Sequence, residues 1–144
     1  MSSDGMTNTT NDTPTYVYKL ISSTATPPSP LPSKLPVSSL DQNDDFIHLS
    51  TSRQVARTLK RYFKDEPHAY ILRIPYELIK KDVKWEDPRG QAPGVIGAED
   101  VFPHLYNGLK VGKDEIESVQ RWENKKDGEG WDAALRKAEG WLVY

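Results

Sequence analysis

An α+β fold is what the residues of this chain predict, on three observations. β-branched and aromatic runs near 15–21 and 68–74 read as strands. A stretch of helical periodicity at 51–64 lies between them. Further strand-like runs then follow one another without intervening long helices, unlike the strict alternation of a doubly wound parallel sheet. The 144 residues are the usual size of one domain. A chain of this length buries roughly two-thirds of its unfolded surface and needs no disulfide or structural metal to fold.

Met1–Thr13 is Ser, Thr, Asn, Asp and Gly with almost nothing apolar. It cannot offset its own chain entropy and is expected to be disordered. The expected organisation is a tail over 1–14, a domain over 15–124, and a C-terminal helix with a docking tail over 125–144. Tyr16, Val17, Tyr18, Leu20 and Ile21 make the first strand. From Ser22 to Ser39, Pro27, Pro28, Pro30, Pro32 and Pro36 leave only a long surface loop.

Asp45–Ser50 alternates, with Phe46, His48 and Ser50 on one face and Ile47 and Leu49 on the other. It predicts a short strand running into the helix. Thr51 and Gln54 have capping-box spacing, and Val55, Ala56, Leu59, Tyr62 and Phe63 form the apolar stripe. Arg53, Arg57, Lys60, Arg61 and Lys64 fill the rest and read as a solvated face.

His68–Ile74 is the strongest strand, and Val83–Glu86 is another. Asp87–Asp100 carries Pro88, Gly90, Pro93, Gly94 and Gly97 and reads as a second long loop. Phe102–Tyr106 reads as a cover over a sheet face, because Pro103 disfavours a central strand position. Asn107-Gly108 marks a tight turn. One helical turn at 113–116 leads into a strand ending at Glu123. Finally, Trp131, Leu135 and Ala138 share a helical stripe, with Gly140 where a C-cap belongs and Trp141–Tyr144 as an apolar end that must dock.

Net charge is −2, from 19 basic and 21 acidic residues, which argues against nucleic acid as a partner. There is no Cys, so neither a thiolate nucleophile nor a disulfide framework exists. No apolar run approaches the ~20 residues of a membrane span, and no signal-peptide core opens the chain. A cytoplasmic protein with a small-molecule ligand in a cleft is the expectation.

The polar groups that could act there are few. His48, mid-strand, can hydrogen-bond a ligand or act as general base, or can simply be tied to a backbone carbonyl. Ser50 and Thr51, at a strand end entering a helix, can bind an anion such as phosphate, or can simply cap the helix. His104 and Tyr106 suit a pocket wall, and Glu86 follows Trp85 at a strand end. His48, His104 and Glu86 could also form a two-histidine, one-carboxylate metal site, but their spacing is not diagnostic and no metal is assigned. His48 and His104 are expected to project into one cleft, within about 7–10 Å of each other.

The stretch Leu35–Val55, containing Asp45-Phe46-Ile47-His48-Leu49-Ser50-Thr51, resembles the signature of the domain-of-unknown-function 952 family. The likeness continues through the strand Tyr70–Ile74, the Trp85-Glu86 pair and the closing Phe102-Pro103-His104-Leu105-Tyr106. It spans about 16–122. Asp45 stands where the family usually has Gly, and Asn107 is inserted before Gly108. The resemblance implies an ADP-ribosyltransferase-like fold: a split, mostly antiparallel β structure with one main packed helix, here followed by a short C-terminal helix. It also implies NAD as ligand. On that analogy His48, Glu86 and His104 are the catalytic candidates, and Ser50, Thr51 and Tyr106 the cofactor-binding ones. The alternatives are a non-catalytic ligand- or nucleotide-binding module and a metal-dependent enzyme.

Overall fold

The computed structural model describes residues 12–144, so the disorder expected of Met1–Thr13 falls almost wholly outside the described residues. Six strands, all paired antiparallel, form two three-stranded sheets. In the larger sheet β3 (His68–Pro75) is central, flanked by β1 (Tyr16–Ser22) and β6 (Ser118–Glu123). In the smaller one β5 (Phe102–Leu105) is central, flanked by β2 (Ile47–His48) and β4 (Val83–Glu86).

The larger sheet meets a core on each face, as the alternation along β3 requires, while Val119, Arg121 and Glu123 of β6 stay exposed. Leu72 and Ile74, with Val17 of β1, face a core shared with Ile47, Leu49, Trp85 and Leu105 of the smaller sheet. Ala69 and Ile71, with Tyr18 and Leu20, face the other way. That second core is closed by Val55 and Leu59 of the main helix, by Trp122, and by Trp131 and Ala138 near the C-terminus. Order is therefore smaller sheet, larger sheet, then the main helix and the C-terminal segment.

The main helix, α2 (Val55–Tyr62), is shorter than the expected 51–64, and a six-residue helix, α1 (Ser39–Asp44), precedes it. Residues 51–54 form a turn in which half of the capping box survives: the Thr51 N–H donates to Gln54 Oε1 at 3.0 Å. Tyr62 leaves the expected apolar stripe and is exposed, because the helix ends there and Phe63 turns inward instead. α1 was not legible among the prolines. Ser38 caps it, accepting from the Asp41 N–H at 3.2 Å.

Phe102–Leu105 corrects the expected cover: it is the central strand of the smaller sheet. Leu49 N–H donates to the Pro103 carbonyl at 3.2 Å, and Pro103 has no N–H to return. The ladder to β2 stops there, which is why β2 is regular over only two residues. Proline is tolerated because its missing donor sits where that ladder ends.

Gly140 is not the expected C-cap. The last helix, α4 (Asp132–Lys137), ends at Ala138, whose N–H returns to Ala134 and Arg136. A short α3 (Tyr76–Ile79) leads into β4. Beyond α4 the chain docks by backbone: the Tyr18 hydroxyl donates to Trp141 O at 2.8 Å and accepts from Val143 N at 2.9 Å. Among the described residues no helix is long and apolar enough to cross a membrane.

Candidate functional site

Alternation in the smaller sheet decides which side chains leave the core. Ile47 lies opposite Leu105 and points inward; one residue on, His48 lies opposite His104 and both point outward. Lys84 and Glu86 of β4 share that outer face, beside His104 and Phe102. Direct cross-strand pairing therefore brings the two histidines together, with ring centroids 5.2 Å apart at 65°. This is closer than the expected cleft. Phe46 packs against both rings, at 4.2 Å from His104 and 4.5 Å from His48, and touches Tyr106 at 5.1 Å.

Each imidazole is held by a carboxylate. His104 Nδ1 lies 2.9 Å from Glu86 Oε1, which also accepts from the Tyr106 hydroxyl at 2.6 Å. His48 Nδ1 lies 2.7 Å from Asp41 Oδ1, and its Nε2 lies 3.0 Å from Asp44 Oδ2. A carboxylate only accepts, so Nδ1 carries a proton in each ring. His48 faces carboxylates from both sides, Asp41 at Nδ1 and Asp44 at Nε2. Lys84 lies over the Tyr106 ring at 4.5 Å.

The two rings differ in exposure. The His104 side chain is 1% exposed, Glu86 12% and His48 22%, so the site opens at its His48 side. Burial pushes the His104 pKa below the ordinary histidine value, and the hydrogen bond to Glu86 only partly offsets it. His104 is thus a neutral ring with Nε2 as a lone-pair acceptor. Burial and the Glu86 carboxylate push Tyr106 well above the usual phenol range. Burial acts to raise the Asp41 carboxyl, but hydrogen bonds from His48 and the charge of Lys19 outweigh it, and the net shift is downward. Lys19 Nζ sits 2.6 Å from Asp41 Oδ2.

The loop at 87–100 borders the site. Asp87 folds its start into a turn, accepting from Arg89 and Gln91 N–H groups at 3.0 Å. Gly90, at φ +73, lies so close that a Cβ there would stand 2.9 Å from the Phe46 ring and 3.3 Å from Glu86. Glycine is required on both counts. The far half of the loop is tied to α2, with Gln54 Nε2 donating to Val101 O at 2.8 Å and Arg57 to Glu99 O at 2.8 Å.

Of the residues expected at the site, His48, Glu86, His104 and Tyr106 come together. Ser50 and Thr51 do not join them. Ser50 exchanges backbone hydrogen bonds with Tyr18 at 2.8 and 2.9 Å, and its hydroxyl lies 3.4 Å from that of Thr58. The Thr51 N–H is taken by Gln54, and both residues are buried. Asp41, on the same helix as Asp44, went unnoticed in the sequence. The Ser38-x-x-Asp41 capping spacing was the available signal for the helix that carries them. Among the described residues no three His, Asp or Glu side chains are set to hold a metal ion. A cavity of about 360 Å³ lies elsewhere, lined by Gln120, Trp122, Lys125, Ala133, Ala134 and Lys137.

Fold and site together define a small α+β protein that displays a cross-strand histidine pair, each ring oriented by a carboxylate, on the outer face of a minor sheet. Residues 31–119 match the family described as "Protein of unknown function (DUF952)", which is more than half of the chain, and the chain belongs to that family. It is similar to the crystal structure of protein CC0527 from Caulobacter crescentus, with 27% identity and a TM-score of 0.60, over 83% of this chain and 96% of that one. The solution structure of CC0527 gives 28% identity and a TM-score of 0.56, over 79% and 90%. No curated protein matches this chain.

Proposed function

We propose that this chain is an ADP-ribosyltransferase-like protein that binds NAD and transfers ADP-ribose to an acceptor. The observation that carries the reading is the cross-strand pair His48–His104, with Glu86 bound to His104 and Tyr106 and with Phe46 packed among them. The chemistry breaks the bond between C1′ of the nicotinamide ribose and the ring nitrogen. Nicotinamide leaves neutral with the electron pair, and an acceptor hydroxyl or water oxygen bonds to C1′. Such a cationic transition state needs positioning and nearby negative charge more than a strong base.

This chain's residues suit those needs. Glu86 supplies the carboxylate, with Oε1 fixed by two donors and Oε2 left free among the described residues. His48 meets a ribose oxygen through Nε2, and neutral His104 accepts at its Nε2 the proton the acceptor loses. Tyr106, half-buried, offers aromatic surface for the nicotinamide ring. A second reading, a non-catalytic nucleotide-binding module, is favoured by one fact: Glu86 Oε1 is already committed twice within the chain.

Thermal melting with NAD and ADP-ribose, followed by a nicotinamide-release assay, tests both. NAD at 100 times its dissociation constant stabilises by about 2.7 kcal/mol. The variant Glu86→Gln is expected to keep binding and to lose turnover on the order of 10²–10³-fold. Binding without turnover in the wild type selects the second reading. No shift at millimolar NAD or ADP-ribose removes both as nucleotide functions.

A further inference from the structure

We propose that Asp41 is the positioning residue of this site: it holds His48 by Nδ1 so that Nε2 alone faces the ligand. The inference rests on the reading of His48 as ligand-facing. Asp41 is 1% exposed, and each of its oxygens has a task. Oδ1 accepts from both the backbone N–H of His48, at 3.2 Å, and its ring, at 2.7 Å. Oδ2 accepts from Lys19, whose ammonium also donates to the His48 carbonyl at 3.2 Å. One carboxylate thus fixes the main chain and the ring of the same residue, and half-buried Lys19 helps keep it charged.

The arrangement repeats that of Glu86 and His104 on the neighbouring strand. Both rings are gripped at Nδ1, so both direct Nε2 away from their carboxylate. Among the described residues the group on His48 Nε2 is Asp44, on the same helix as Asp41 but at its exposed end, with a side chain 34% exposed. Asp44 is free to swing aside for a ligand oxygen; Asp41, at the buried end, is not.

Long-range proton–nitrogen NMR correlations on the imidazoles of the unliganded full chain read this directly. His48 is expected to carry its proton on Nδ1 whenever the ring is neutral, and Asp41→Asn to redistribute it toward Nε2. Asp44→Asn is expected to leave the tautomer unchanged. NAD affinity should fall roughly ten- to a hundredfold in Asp41→Asn, the range seen when a carboxylate orienting an imidazole is removed. Because that variant leaves Lys19 unpaired and risks unfolding, the wild-type tautomer is the deciding measurement. A neutral His48 protonated at Nε2 alone overturns the proposal, even if NAD binds. Conversely, an Nδ1-protonated His48 in a chain that binds no nucleotide upholds the role of Asp41 and defeats the nucleotide reading instead.

Discussion

The two sheets of this protein are built from the same antiparallel ladder yet serve opposite ends. The larger, with strands of seven, eight and six residues, packs against a core on each face. The smaller has strands of two, four and four residues; its inner face is apolar, and its outer face mixes polar groups with the rings of Phe46 and Phe102. Its outer face carries His48, Lys84, Glu86 and His104. A sheet with one free face can display polar side chains in register. The difference teaches that stability and chemistry are separated here by layer: the long strands hold the fold, and the short ones hold the imidazoles at a fixed spacing.

The largest expected effect lies behind the larger sheet. Trp131 is 3% exposed in the core formed by Tyr18, Ile71 and Trp122. Trp131→Ala is expected to cost about 3–5 kcal/mol in urea denaturation, through lost burial and a cavity. Trp131→Phe should cost far less, because among the described residues the buried indole N–H has no partner and its removal relieves an unmet hydrogen bond. A cheap Trp131→Ala would mean that the C-terminal segment is decoration and the layer argument fails.

A smaller effect is expected from the polar face of the minor sheet. The folded state lowers the His104 pKa, so the unfolded chain takes up the proton first. Stability is then fully present above the ordinary histidine value and declines as pH falls below it, flattening once the folded value is passed. The slope is at most about 1.4 kcal/mol per pH unit for one proton. Urea midpoints at pH 7 and pH 5 should diverge in the wild type and converge in His104→Gln. Equal slopes in the two proteins would assign the effect elsewhere.

The smallest effect sits where the minor sheet begins. Asp45 ends α1 in the left-handed region, at φ 61 and ψ 28, and its N–H returns to Asp41 O. Asp45→Gly is expected to raise stability by roughly 0.5 kcal/mol, the left-handed penalty of about 1 kcal/mol less the added chain entropy of glycine. A loss of stability would show that the Asp45 side chain contributes more than its backbone strain costs.

Much of the larger sheet was legible because its strands are long and rich in β-branched and aromatic residues. Tyr16–Ser22 and His68–Pro75 lie within a residue or so of the expected bounds. The alternation Phe46/His48 against Ile47/Leu49 was also legible, since side-chain direction in a strand follows parity alone. Phe102–Leu105 was misread because the proline rule is statistical, while its cost depends on which ladder position lacks a donor, and that is known only once β2 is in place.

What the residues by themselves determined is the α+β class, the strong strands, the long loops, and the inward and outward faces of the His48 strand. These follow from local periodicity and from the conformational limits of proline and glycine. What the tertiary structure alone decided is that His48 sits opposite His104, that Glu86 reaches His104 and Tyr106 together, and that Asp41 stands behind His48. Each of these joins residues brought together by strand register or by the packing of α1. Register is set by burying Ile47 against Leu105 and Val83, a long-range condition that no local pattern encodes.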